Sequence, residues 1–174
     1  MEVVSARWAR SMRAAGVRWS RDAWWRAVQG RRRRRECGER CAMVLGVGTD
    51  LIEIARVEAS LERYGQRFLE RVFTPEEIEY CMRKRRPAES LAARFAAKES
   101  GAKALGTGIS RGVSWKEIEV RRLPGERPTL HWSGRAEELA AAMGAKRTSL
   151  SVTHARDVAM AVVILEGDPE GEAS

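Results

Sequence analysis

The segment from Pro87 to Leu105 constrains the fold of this chain more than any other. It opens with proline, is rich in alanine and leucine, and is followed directly by Gly106. Proline at the first position and glycine just past the end are typical boundaries of a helix, so the segment predicts the longest helix of the chain. Because its side chains are mostly small, other elements are expected to pack closely against it.

The sequence around this helix predicts short strands and short helices. Residues 43–49 are apolar and contain Gly46 and Gly48, a pattern typical of a strand, and residues 51–64 carry apolar residues at helical spacing. Residues 74–77, Thr-Pro-Glu-Glu, predict a helix start that reaches about residue 84. Further strands are predicted at 115–122, 129–132, 150–154 and 158–165, and a helix from Ser133 to Gly144. Because residues 158–165 are apolar throughout, this strand is expected to be buried on both faces. The expected class is α+β, with an antiparallel sheet packed against the long central helix.

The formal net charge of +8 is concentrated at one end of the chain. Residues 1–42 contain 12 Arg and 4 acidic residues, whereas the remainder holds 20 basic and 20 acidic residues. We therefore divide the chain into an Arg- and Trp-rich leader (1–42), one domain (43–168) and a short tail (169–174). The leader is expected to be disordered or to precede the true start at Met43. A nucleic-acid arm, a membrane-surface helix and a transit-like segment are the alternatives. The neutral domain argues against nucleic acid as the partner.

Cysteine content and hydropathy indicate the cellular compartment in which the protein is expected. Cys37, Cys41 and Cys81 form neither an even disulfide framework nor a full set of zinc ligands. Unpaired thiols fit a reducing compartment. No run approaches the ~18 apolar residues of a membrane helix. A soluble, cytoplasmic protein without a membrane partner is expected.

Two segments carry candidate chemistry. Asp50 follows the first predicted strand, and the long helix carries two charged pairs at a spacing of one turn, Arg94 with Lys98 and Glu99 with Lys103. Asp50 alone is as typical of a helix cap, and the helix charges alone of a solvated face with ordinary ion pairs. The charges lie among alanines, however, and charges in a closely packed place are costly unless they have partners. A metal ion or a phosphate would supply that partner.

Two further features are compatible with a phosphate-bearing ligand but are weak by themselves. Gly106 and Gly108 allow the backbone to approach a nucleotide closely, although a helix terminator explains them equally well. His154 ends a predicted strand, where it can donate to a phosphate, yet a lone histidine is more often structural.

Three segments together resemble a known family: GVGTDLIEIARVE (46–58), RFAAKESGAKALGTGI (94–109) and SVTHARDVAMAVVI (151–164). They are similar to bacterial holo-acyl-carrier-protein synthases, which are 4′-phosphopantetheinyl transferases, and the resemblance runs from about residue 43 to 166. It implies a 4′-phosphopantetheinyl transferase-like domain and Mg²⁺-dependent transfer of 4′-phosphopantetheine from coenzyme A to a serine of apo-acyl carrier protein, leaving adenosine 3′,5′-bisphosphate. It also implies a homotrimer with sites between subunits and a role in fatty acid biosynthesis.

The resemblance also implies roles for individual residues. Asp50 and Glu99 would bind Mg²⁺, and with Lys103 they would form the catalytic group, with Glu99 as candidate base directly or through a water molecule. Coenzyme A would be held by a set of cations, loop glycines and strand residues: Arg94, Lys98, Lys103, Gly106, Gly108, Thr153 and His154. The basic cluster at 83–86 would assist at the 3′-phosphate. The acidic carrier protein would dock on a basic face: Arg56, Arg67, Phe68 and Arg71. Carrier domains of polyketide or peptide synthases are the alternative acceptors.

Overall fold

The computed structural model describes residues 42–109, 112–123 and 125–168. Eleven elements follow one another in this part of the chain: β1 (Met43–Glu53), α1 (Ile54–Tyr64), α2 (Gln66–Val72), α3 (Pro75–Met82), α4 (Pro87–Ala104), a 3₁₀ turn (Trp115–Glu117), β2 (Ile118–Arg121), β3 (Thr129–Trp132), α5 (Gly134–Ala142), β4 (Ala145–Ala155) and β5 (Val158–Gly167). The predicted α+β class, with antiparallel strands packed against a long helix, is confirmed.

The long helix α4 is the centre of the fold. It packs against β1 and β5 of an antiparallel sheet with strand order β1-β5-β4, and β2 and β3 form a separate antiparallel pair. Close approach depends on small residues on both sides. A Cβ placed on Gly48 would overlap the carbonyl oxygen of Ser100, and one on Gly46 would overlap that of Ala104. Helix and strand backbones therefore touch directly, as the alanine content of α4 predicts.

Strand β1 is longer than predicted, which moves Asp50 from the end of a strand into its interior. The helix expected from residue 51 begins at Ile54, because β1 pairs with β5 as far as Glu53, opposite Val158. Asp50 therefore does not cap a helix; the N-cap position of α1 is Glu53. Helical spacing of apolar residues within 51–53 was misleading, since pairing with a distant strand decides their conformation.

Two smaller corrections concern β2 and β5. The predicted strand 115–122 starts with a 3₁₀ turn, and only Ile118–Arg121 pair with β3. In β5 one face is buried against α4, but the other face leaves Met160 37% exposed, so the strand is not buried on both faces in this chain. That second face continues onto β1, where Val47 and Leu51 are 56% and 58% exposed. We call Val47, Leu51, Met160, Val162 and Ile164 the open sheet face.

Several predicted boundaries are confirmed. Thr74 caps α3 in a capping box: its Oγ1 accepts from the Glu77 backbone N–H at 3.3 Å, and Glu77 Oε2 accepts from the Thr74 N–H at 2.9 Å. The long helix starts at Pro87 as predicted, and Ser133 is the N-cap of α5. The predicted leader and tail, including Cys37 and Cys41, lie outside the described residues apart from Ala42. The division into leader, domain and tail stays a prediction. Among the described helices, none has the length and hydropathy needed to cross a membrane.

Candidate active site

Asp50, Glu99 and Lys103 form one cluster, which we call the carboxylate cluster. Asp50 lies on the α4 side of β1, and Glu99 and Lys103 lie one turn apart on α4. The Lys103 Nζ donates to Asp50 Oδ1 at 2.9 Å and to the carbonyl oxygen of Thr49 at 3.0 Å. The Asp50 side chain is 17% exposed and that of Lys103 48% exposed, so the cluster opens to solvent on its lysine side. The structure thus brings together the three residues predicted to be catalytic.

The electrostatics of this cluster act mainly on Glu99. Burial raises the pKa of the Glu99 carboxyl, the charge of Asp50 raises it further, and the Lys103 ammonium opposes the shift. A carboxylate with a raised pKa accepts a proton more readily than an ordinary one near neutral pH. Glu99 is therefore suited to accept a proton, whereas the Asp50 carboxylate accepts a hydrogen bond from Lys103.

The donor set of the cluster suits a hard divalent cation. Both acids present oxygen ligands, and the repulsion between them is what a cation would relieve. Among the described residues no group of three or more His, Cys, Asp or Glu side chains could ligate a metal together. A metal held here would therefore take two protein ligands and fill its remaining positions with phosphate oxygens or water, which is how Mg²⁺ is commonly bound.

A second cluster surrounds Arg94, a residue that is only 6% exposed although it carries a charge. The Arg94 guanidinium lies 4.2 Å from the centre of the Tyr80 ring and donates to the Ser90 carbonyl oxygen at 3.4 Å. Its Nε has no hydrogen-bond partner among the described residues. A cavity of about 250 Å³ borders this group, and its lining includes Tyr80, Ser90, Arg94, Arg122 and His154. We call this cavity the arginine cleft.

The surroundings of the arginine cleft are strongly basic. An adjoining cavity of about 450 Å³ is lined by Lys84, Arg85, Arg86, Glu89, Ser90 and His154. Burial raises the pKa of the Tyr80 phenol, but Lys84 and the charges of Arg122 and Arg94 outweigh it, so the net shift is downward. A positive potential that favours the anionic form of a phenol also favours a phosphate. The cleft is therefore suited to anions.

Sequence reasoning found Arg94 and His154 but missed Tyr80, Ser90 and Arg122. Tyr80 lies on α3 and Arg122 directly follows β2, so nothing in the linear sequence links them to Arg94. Ser90 is the exception: it lies one turn before Arg94 on the same helix, and i, i+4 spacing was a usable signal.

The carboxylate cluster and the arginine cleft lie on opposite flanks of α4. At ~100° per residue, Arg94 and Glu99 point about 140° apart, and Arg94 and Lys103 about 180° apart. Because α4 packs on the sheet between the two flanks, the helix itself separates the clusters within one chain. Residues predicted to hold one ligand are thus divided between two places.

Lys98, which was predicted to bind the cofactor, is not brought to either place. Its side chain is 0% exposed, and its three ammonium hydrogens are used within the protein. They are donated to Glu77 Oε2 at 2.7 Å and to the carbonyl oxygens of Trp115 and Ile118 at 2.9 and 2.7 Å. Burial lowers the pKa of Lys98, and Glu77 opposes that shift. No donor is left for a phosphate.

Thr153 is also not brought to the arginine cleft in this chain. Neighbouring side chains on a strand point to opposite faces, so Thr153 shares the open sheet face with Met160 whereas His154 lies on the α4 side. The loop after α4 is placed as predicted. Gly106 and Gly108 have φ of 75° and 65°, a region that favours glycine, and a Cβ at either would meet open space. The Thr107 Oγ1 between them is buried and has no partner among the described residues.

The predicted docking face lies on α1 and α2. Arg56 is exposed on α1, and Arg67 and Arg71 are exposed on α2. Phe68 is half-buried, because its ring packs edge-on against Phe73 with centroids 5.9 Å apart. The structure thus exposes the three predicted arginines, and Phe68 contributes only part of its ring to this surface.

Comparisons with known proteins agree with the arrangement of these segments. The sequence profile of the 4′-phosphopantetheinyl transferase superfamily, ACPS, matches residues 46–163. A holo-[acyl-carrier-protein] synthase from Koribacter versatilis is 49% identical over 124 residues, which is 71% of this chain and 99% of the relative.

Crystal structures show the same fold. The synthase from Helicobacter pylori in complex with coenzyme A is 34% identical, with a TM-score of 0.61 over 68% of this chain and 98% of that one. The synthase from Bacillus anthracis in complex with CoA (3′,5′-ADP) is 36% identical, with a TM-score of 0.60 over 73% of this chain and 100% of that one.

Proposed function

The chain belongs to the holo-[acyl-carrier-protein] synthases of the 4′-phosphopantetheinyl transferase superfamily, and from this membership we propose how its residues carry out the transfer. The reaction moves phosphopantetheine from coenzyme A to an acyl carrier protein. We assign the chemical step to the carboxylate cluster. The observation that carries this assignment is the meeting of Asp50 with Glu99 and Lys103, since it combines two metal-binding oxygens, a base and a cation at one solvent-accessible point.

The step itself is a displacement at phosphorus. The serine oxygen of the carrier protein forms a bond to the phosphorus nearer the pantetheine, and the bond from that phosphorus to the bridging oxygen breaks. The serine proton passes to Glu99, and the leaving group is adenosine 3′,5′-bisphosphate. Lys103 donates its remaining ammonium hydrogen to a phosphate oxygen and offsets the charge that develops on the leaving side. Asp50 holds Lys103 in place through their 2.9 Å contact.

Asp50 and Glu99 are also the residues that would hold Mg²⁺. When bound, the ion supplies charge neutralisation for the diphosphate. Burial, and after it the nearby charge of Asp50, raise the pKa of Glu99, and a bound cation would offset both effects.

The nucleotide end of coenzyme A is assigned to the arginine cleft. Arg94 has a buried guanidinium whose Nε hydrogen has no acceptor among the described residues. Burial of such a group is costly unless an anion accepts that hydrogen bond and balances the charge. His154 and the basic residues 84–86 border the same space. The loop at Gly106 and Gly108 is assigned to the adenine side.

Because α4 separates the two clusters within one chain, a single coenzyme A is proposed to bridge two subunits of a homotrimer. The carboxylate cluster of one subunit and the arginine cleft of the next would then form one site. The open sheet face supports the assembly, since exposed apolar side chains such as Val47, Leu51 and Met160 are typical of a surface that another chain covers. Thr153 lies on this face and would reach the neighbouring subunit.

A mixing experiment tests the shared site. At coenzyme A concentrations near the wild-type KM, Arg94→Met and Glu99→Gln are each expected to lose most of the activity alone. Trimers assembled from both variants are expected to regain part of it, because some interfaces pair the two intact clusters. Absence of any recovery in mixed trimers, shown to be mixed by mass spectrometry, would refute the shared site.

Docking of the carrier protein is assigned to the basic face of α1 and α2. Acyl carrier proteins are acidic, so exposed arginines steer the encounter and fix its orientation. We place the activity in the cytoplasm and assign it to fatty acid biosynthesis.

The direct test is a transfer assay with the full chain. The protein is incubated with coenzyme A, Mg²⁺ and apo-carriers from fatty acid, polyketide and peptide synthesis, and mass spectrometry detects the phosphopantetheine arm. Transfer is expected to be fastest to the fatty acid carrier, to require Mg²⁺, and to fall by about 10²–10⁴-fold in Glu99→Gln, the range for loss of a general base. Near wild-type turnover of Glu99→Gln at saturating Mg²⁺ would disprove the assignment.

A further inference from the structure

Glu77 and Lys98 form a buried ion pair that contacts several different elements of the fold. Lys98 Nζ lies 2.7 Å from Glu77 Oε2, and both side chains are 0% exposed. Lys98 also donates to the backbone of Trp115 and Ile118, in the 3₁₀ turn and β2. Glu77 accepts from the backbone N–H of Thr74 through Oε2 and of Val120 through Oε1, each at 2.9 Å. One pair thus ties α3, α4, the 3₁₀ turn and β2 together.

Every polar group of the pair is satisfied in this one arrangement. The three ammonium hydrogens have three acceptors, and both carboxylate oxygens have donors. Rotating α4, or sliding it by one residue, would leave a buried charge without its partners, which is far more costly than a small mismatch between apolar side chains. The pair therefore selects one rotation of α4.

That rotation matters because α4 carries residues of both clusters. Glu99 directly follows Lys98 and points about 100° away from it around the helix axis. Arg94 lies one turn before Lys98. The same Glu77 accepts from the backbone N–H of Val120, which also lines the arginine cleft, so a second part of the cleft is held by the same pair.

We propose that the Glu77–Lys98 ion pair is a positioning device that sets the rotation of α4, and so aims Glu99 at Asp50 and Arg94 into the arginine cleft. Neither member touches substrate. Stability alone would not require the charges, since buried ion pairs are often replaced by apolar residues without loss. The proposal rests on the transferase function described above.

The test is the double variant Glu77→Gln/Lys98→Met, which removes both charges and keeps side-chain length. Assayed well below its unfolding temperature, it is expected to be folded and to lose at least tenfold in kcat, since displacement of catalytic groups by about 1 Å can cost ~10²-fold. Its crystal structure is expected to show the Glu99 carboxylate turned away from Asp50. Should the double variant not fold, Lys98→Met alone, in which Glu77 keeps its two backbone donors, is expected to show a kcat loss of the same kind.

Two outcomes would overturn the proposal. A folded variant with wild-type kcat and an unmoved α4 would show that the pair only stabilises. A Lys98→Met variant with a raised KM for coenzyme A and normal kcat, together with an unaffected Glu77→Gln, would show direct ligand contact.

The control is Arg135→Met/Glu138→Gln, which removes an exposed 2.8 Å pair on α5 and is expected to leave kcat and KM unchanged. If the wild-type protein transferred phosphopantetheine to no carrier, the proposed function would fail, whereas the crystal structure of the double variant would still report the rotation of α4.

Discussion

Replacing Gly48 by alanine is expected to damage stability and catalysis together, because β1 touches α4 at this residue. The added Cβ would overlap the Ser100 carbonyl oxygen and lie 2.6 Å from the Ala104 nitrogen and 2.9 Å from the Ser100 carbonyl carbon. These are backbone atoms, so the overlap cannot be relieved by a change of side-chain rotamer. Ordinary contacts of carbon atoms are about 3.5–4.0 Å, so β1 and α4 must separate by about 1 Å.

The magnitude follows from that separation. Overpacking of this kind costs about 1–3 kcal/mol, which for a domain of this size lowers the unfolding temperature by about 4–12 °C. Asp50 lies two residues further on the same side of β1, so its carboxylate moves away from Glu99 and Lys103. A misplacement of about 1 Å can reduce kcat by ~10²-fold.

The assay combines urea denaturation with turnover at saturating coenzyme A, Mg²⁺ and carrier protein. Gly144→Ala is the control. Gly144 has φ of 76°, and a Cβ added there would meet no atom within 4 Å. Alanine at this residue therefore costs about 1–2 kcal/mol of backbone strain but moves no catalytic group. A Gly48→Ala protein with wild-type stability and kcat, or an equal kcat loss in the control, would refute the reasoning.

Three further changes test the remaining assignments. Charge reversal in Arg56→Glu is expected to raise the KM for carrier protein at least about tenfold, because like charges then face each other. The KM for coenzyme A is expected to stay unchanged, and equal effects on both KM values would contradict docking at α1. Arg94→Met is expected to raise the KM for coenzyme A by about 10–100-fold, the value of a lost charged hydrogen bond, with no change for the carrier protein. Glu99→Gln is expected to raise the unfolding temperature of the metal-free protein, and by more at about pH 8 than at about pH 5. The sign follows from the raised pKa of Glu99: its stabilising contribution is complete below the pKa of the unfolded state and is lost as pH rises through that of the folded state. A gain that is larger at pH 5, measured by thermal unfolding in chelator, would be inconsistent with that shift.

Local patterns in the sequence were sufficient for the elements that depend on local interactions. The capping box at Thr74, the helix from Pro87 and the α5 start at Ser133 depend on residues within one or two turns, so they could be predicted. The candidate residues Asp50, Glu99 and Lys103 were also recognised, because three separated segments carry a family pattern.

Predictions failed where a distant partner decides the outcome. Residues 51–53 have helical spacing, yet they form strand because β5 pairs with them. Lys98 and Glu99 are adjacent and both charged, and no local pattern shows that Glu77, from another helix, takes one of them into the core. The arginine cleft likewise joins Tyr80, Arg94 and His154 from three elements.

The sequence by itself determined which segments form helices, which chemistry the charged residues can supply, and to which family the chain belongs. Only the tertiary structure decided which charge is buried and which is free, and it placed the two clusters on opposite flanks of α4. The physical reason is that composition and spacing act within a few residues, whereas burial, strand register and helix rotation are set by contacts between residues far apart in the chain.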